Sequence, residues 1–145
     1  MDEMDAIAHL QQGMRFGIEA GSGHAVTVDM LDGLAQGTKG TGFSPMELLL
    51  VALAGCTGIS VLSILRKRRQ EITGYEVRVH GVRAQQHPKV FTDITIEHVF
   101  TGKTLEVVWV ERAIALSEER YCGVEAMLGK TAQITHSSKI VEGEM

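Results

Sequence analysis

The residues of this chain best suited to covalent chemistry are two cysteines, Cys56 and Cys122, its only thiols. A thiolate attacks electrophilic oxygen or sulfur, and a second thiol can then close a disulfide. Two cysteines and no others are what a reversible dithiol couple requires. They are too few for a disulfide scaffold or a cysteine-rich zinc site. Cys56 lies between Gly55 and Gly58, where the missing side chains let another backbone or a substrate approach. Cys122 falls at the predicted start of a short helix, where the positive end of the dipole favours a thiolate. A buried structural thiol is the competing reading for each. His98 and His136 could serve as bases or ligands. With no His or Cys at a ligand-like spacing, they read instead as structural or solvated, as do the scattered His9, His24, His80 and His87. No metal and no cofactor is expected.

The elements that must position these thiols are legible in outline. Leu48 to Leu65 is an 18-residue stretch without a charge. Ser44-Pro45-Met46-Glu47 opens it as a helix: Ser44 can cap, Pro45 suits the first helical position, and Glu47 completes a capping box. This helix is expected to run to about Glu71, with the bases Arg66-Lys67-Arg68-Arg69 at its negative end and Gly74 as its stop. Met14, Phe16 and Ile18 alternate with polar residues as a strand, and His24, Val26 and Val28 repeat the pattern after Gly21-Ser22-Gly23. Residues 32–42 read as a loop. Tyr75 to His80 and Ile94 to Phe100 form an antiparallel hairpin around His87-Pro88. A helix over 105–116 with Trp109 in its apolar stripe, a short helix over 122–130 and a strand over 133–140 complete an α+β domain, residues 1–145.

The charge-free stretch is long enough to cross a bilayer, and the bases behind it suit a cytoplasmic flank. Its Gly55, Thr57, Gly58, Ser60 and Ser63, and the 80 residues that follow and need a core, favour the centre of a folded domain instead. A helix apolar on every side exceeds what one chain of this size can cover, so a second copy of the chain is the expected partner. The chain is 44% hydrophobic and 22% charged, enough to fold around a core, and its formal charge of −4 disfavours nucleic acid. The acidic start, Met1-Asp2-Glu3-Met4-Asp5, lacks the shape of a secretory signal, so the cytoplasm is the expected compartment.

Ser44-Pro45-Met46-Glu47-Leu48-Leu49, Ala54-Gly55-Cys56, Tyr121-Cys122-Gly123-Val124 and Ile134-Thr135-His136 occur in that order and together resemble the OsmC/Ohr family of thiol peroxidases. The resemblance spans Met14 to Ile140 and is strongest for the branch with a Ser-Pro-Met-Glu helix start. It implies antiparallel sheets wrapped around a long central helix in an intertwined dimer, with active sites at the subunit interface. It implies that Cys56 attacks an organic hydroperoxide and becomes a sulfenic acid, that Cys122 resolves it as a Cys56–Cys122 disulfide, and that an external, lipoyl-type dithiol reduces the product. Peroxidase members carry a Glu directly after the Pro, paired with an Arg. Here Met46 holds that position, Glu47 follows it and is taken as the acidic site residue, and Arg15 is the only Arg before Cys56. The alternative is a dimeric ligand-binding protein of the same fold with little peroxidase activity.

Overall fold

The computed structural model of the protein describes residues 2–33 and 36–143. The chain forms two compact units, one ending at Leu49 and one beginning at Leu50. Residues 34 and 35 of the predicted loop, and Met1 of the acidic start, lie outside the described residues.

The N-terminal unit is an antiparallel meander of β1 (Ala6–Gln12), β2 (Arg15–Ala20) and β3 (Ala25–Val28), with β2 in the middle. The strands around Met14–Ile18 and His24–Val28 were expected. β1 was not, because all seven of its residues are exposed and it carries no alternation to read. Asp29 braces the following loop by accepting the Met30 N–H at 2.7 Å and the Thr41 N–H at 3.0 Å. The first turn of helix α1 (Pro45–Lys67) closes as the capping box requires, with Glu47 Oε1 accepting the Ser44 N–H at 2.8 Å.

In the C-terminal unit α1 buries Leu53, Thr57, Val61 and Leu65, one residue per turn on a single stripe. β4 (Ile72–Arg83) and β5 (Phe91–Gly102) form the predicted antiparallel hairpin. β6 (Gln133–Glu142) pairs with the other edge of β5 in parallel, so this sheet is mixed, where only antiparallel pairing was anticipated. The crossover between them holds α2 (Val107–Leu116), a single π-helical turn (Ser117–Tyr121) and α3 (Gly123–Leu128). Val61 and Leu65 of α1 pack with Phe100, Leu105, Val110, Ala113 and Ile114 in one core cluster. Each of these side chains other than Ala113 is worth about 1.5–3 kcal/mol of burial. Trp109 packs beside that cluster, as its stripe position implied, and Arg68 lies 4.3 Å above its ring.

Helix α1 stops four residues earlier than expected, and Gly74 is not its terminator. Arg69 takes a left-handed conformation (φ 57°), and the Gln70 N–H returns to the Leu65 carbonyl at 3.1 Å, an ending that glycine more often provides. Away from its buried stripe the helix leaves Val51 and Ile59 uncovered, Ile59 at 74% exposure.

Candidate active site

The stripe of Leu53, Thr57, Val61 and Leu65 fixes the rotation of α1, and Cys56 sits on its flank, half-buried. A side chain at Gly55 would meet nothing within 4 Å, and one at Gly58 would touch Val77 Cγ2 at 3.4 Å, so this face of the helix is open on one side and close-packed on the other.

Cys122 is the N-cap of α3 and is buried, with 2% of its surface exposed. Its backbone is extended, its N–H donates to the Ser117 carbonyl at 2.8 Å, and its Sγ accepts the Glu125 N–H at 3.4 Å. The two thiols, 66 residues apart in sequence, are neighbours in the fold, close enough for Cys56 to act on the Cys122 thiol. Beside them the Ser60 and Ser117 hydroxyls hydrogen-bond to each other, joining α1 to the π-helical turn. The expectation of a helix-activated thiolate at Cys122 is overturned. Burial, followed by the hydrogen bond and charge of Cys56, pushes its pKa up to about 12, outweighing the single Glu125 N–H that acts in the other direction. Helix α3 spans only six residues and leaves little aligned dipole to help.

Next to Cys122 lies a polar chain that sequence spacing did not disclose. Tyr75 OH is 2.6 Å from His98 Nδ1, His98 Nε2 is 2.9 Å from His136 Nδ1, and His136 Nε2 is 2.8 Å from Glu125 Oε2. Tyr75, His98 and His136 also stack, with His98 and His136 ring centroids 5.2 Å apart. Burial raises the Tyr75 pKa above its ordinary value, and burial together with His136 lowers that of His98 to about 4. Tyr75 thus keeps its proton and His98 is neutral near pH 7, and the three contacts accommodate one continuous polarity. Tyr75 donates to His98, His98 to His136, and His136 to the Glu125 carboxylate. The other oxygen, Glu125 Oε1, is buried with no hydrogen-bond partner among the described residues. His98 and His136 are thus structural partners, but of each other, because parallel β5 and β6 lie in register here with Ile96 opposite His136. Glu118, exposed on the π-helical turn, brings its carboxylate within 4.8 Å of the Glu125 and His136 donor atoms. Within this trio His136 Nε2 and Glu125 Oε2 are hydrogen-bonded to each other at 2.8 Å.

Glu47, the third predicted site residue, belongs to the N-terminal unit and holds the helix cap there. Arg15 is committed within the same unit, its guanidinium donating to Gln11 Oε1 at 2.9 Å and Thr41 Oγ1 at 3.0 Å.

Two cavities flank α1 near Cys56. One, of about 440 Å³, is lined by Gly55, Gly58, Ile59, Leu62, Tyr75 and Val77 among others. The second, of about 480 Å³, includes Ile59, Ile64, Leu116 and Tyr121, the last adjacent in sequence to Cys122.

Comparison with known proteins gives these features a context. The family model for OsmC-like protein matches residues 37–137. Protein YhfA of Escherichia coli (strain K12) is 40% identical over 138 residues, covering 95% of this chain and 98% of YhfA. The crystal structure of a hypothetical protein from Aquifex aeolicus VF5 superposes with a TM-score of 0.87 at 30% identity, covering 99% of this chain and 100% of that one. The Organic Hydroperoxide Resistance Protein OhrB of Bacillus subtilis shares the fold at a TM-score of 0.65 and 18% identity, over 95% of this chain and 98% of OhrB. The α+β architecture, the ordered motifs around Cys56 and Cys122 and the match over most of its length together establish that the chain belongs to the OsmC-like family.

Proposed function

We propose that the protein is a thiol-dependent peroxidase that reduces organic hydroperoxides in oxidative-stress defence, with Cys56 as the attacking thiol and Cys122 as its resolving partner. The observation that carries this reading is that the two thiols are neighbours within one unit. The Cys56 thiolate attacks the terminal peroxide oxygen, an S–O bond forms as the O–O bond breaks, and the leaving alkoxide takes a proton to become an alcohol. Cys122 then displaces hydroxide from the Cys56 sulfenic acid, giving a disulfide and water, and an external dithiol of lipoyl type returns both thiols. The half-buried Cys56 is the better first nucleophile, because its partner is buried and held in the thiol form. The predominantly apolar linings beside α1 suit an alkyl or aryl hydroperoxide more than hydrogen peroxide.

The working form in this reading is a homodimer in the cytoplasm. The uncovered Val51 and Ile59 face of α1 supplies the apolar surface that a second copy would bury, which also accounts for a long apolar helix without a bilayer. The test is consumption of cumene hydroperoxide with dihydrolipoamide as reductant. Wild type turns over, Cys56→Ser does not, and turnover by Cys56→Ser would overturn the assignment.

The alternative is a dimeric ligand-binding protein of the same fold. The commitment of two Arg15 guanidinium nitrogens to Gln11 and Thr41 within the N-terminal unit favours it. Binding of cumyl alcohol by a protein that leaves cumene hydroperoxide unconsumed would select this reading.

A further inference from the structure

The chain of Tyr75, His98, His136 and Glu125 ends one helical turn from Cys122 and has no part in the chemistry described so far. Building it places one carboxylate and two imidazoles in a protein interior, which is costly unless every group is paired. Each is paired except Glu125 Oε1. Glu125 is buried at 4% exposure, yet its backbone N–H and its charge both act on the Cys122 thiol. The arrangement follows the logic of an oriented base, in which the group next to the nucleophile is held by a second and a third residue behind it.

We propose that Glu125, oriented through His136, His98 and Tyr75, is the proton acceptor for Cys122 when the two cysteines couple. This rests on the dithiol reading above but does not depend on which oxidant acts on Cys56. In the peroxide cycle Cys122 Sγ attacks the Cys56 sulfenic sulfur while its proton passes to Glu125 Oε1. The S–S bond forms, the S–O bond breaks, and the departing hydroxide takes the proton from Glu125 to leave as water. When the disulfide is reduced, the carboxylate takes a proton from the incoming dithiol and passes it to the Cys122 thiolate as the S–S bond breaks. His136 donates to Oε2 throughout, which keeps Oε1 the free oxygen. His98 and Tyr75 fix the His136 tautomer and are positioning residues.

The step can be isolated from peroxide chemistry by loading Cys56 with dithiobis(nitrobenzoate). The first thionitrobenzoate is released when Cys56 forms the mixed disulfide. The second is released when Cys122 attacks Cys56 Sγ, the aryl S–S bond breaks, and the thiol proton goes to Glu125. The second phase should be absent in Cys122→Ser. In Glu125→Gln, which keeps the shape and loses the base, it should slow by about 10²-fold or more while the first phase keeps its rate. A second phase of unchanged rate in Glu125→Gln overturns the proposal. A merely structural role is separated by the solvent deuterium isotope effect on the second phase, present in wild type and lost in Glu125→Gln. Should that variant not fold, the wild-type isotope effect decides, and its absence refutes a proton transfer in this step. Failure of cumene hydroperoxide to oxidise Cys56, with the second phase still dependent on Glu125, would sink the peroxidase reading and leave this one standing.

Discussion

In the reduced protein Cys122 should be the slow thiol, and the delay can be sized from its surroundings. Its pKa is moved from 9.0 to about 12, first by burial and then by Cys56. Three pH units mean about 10³-fold less thiolate near neutrality than an unperturbed cysteine holds. A more basic thiolate is also a stronger nucleophile, and a Brønsted slope of about 0.4–0.5 returns roughly 20-fold, leaving a net deficit of about 50-fold. The 2% exposure of Cys122 slows any bulky reagent further. Pulsed alkylation with iodoacetamide, read by peptide mass spectrometry, measures both thiols in one sample. Cys122 should react at least 50-fold more slowly than free cysteine at pH 7, and its rate should still be climbing at about pH 10, where an ordinary thiol has levelled off. Cys56→Ala removes the influence of the neighbouring thiol but not the burial, so it should recover only part of the deficit. Alkylation of Cys122 at the rate of free cysteine, or ahead of Cys56, would refute the assigned order.

Below pH 6.5 the unfolded chain binds a proton that folded His98, with its pKa near 4, refuses. Stability from this group is therefore unaffected above pH 6.5 and should fall by about 1–2 kcal/mol by pH 5, a loss that urea titrations should find blunted in His98→Phe. Leu65→Ala opens a fully buried site against Phe100 and Val110, and the same titration should register a loss of about 2–5 kcal/mol at pH 7. Ile59→Asp puts a charge on the uncovered face of α1; sedimentation should show a dimer in wild type and dissociation in the variant, and a stable wild-type monomer would remove the dimer from the account.

What could be read from the sequence was what local chemistry writes. The start of α1 was legible because Pro45 and Glu47 act within one turn, and Glu47 does accept the Ser44 N–H. The β4–β5 hairpin was legible because its apolar residues alternate over two long strands. The end of α1 was misplaced because the left-handed residue is Arg69, whose side chain gives no sign of that backbone. The Glu125–His136–His98–Tyr75 chain was invisible for a different reason. His98 and His136 are 38 residues apart and meet only because β6 joins β5 in parallel after a helical crossover, a pairing that depends on the whole C-terminal unit. Cys122 illustrates the same limit. Its place at a helix start argued for a thiolate, while the burial and the neighbouring Cys56 that reverse this are tertiary facts.

The central claim, that Cys56 and Cys122 form one redox couple driven by hydroperoxide, is tested most directly by intact-mass analysis after one equivalent of cumene hydroperoxide. Wild type should lose two hydrogens, the signature of a disulfide, and Cys122→Ser should instead gain one oxygen on Cys56. Unchanged masses with both thiols still open to alkylation under denaturing conditions would contradict the account, as would an oxygen adduct on wild type without the disulfide.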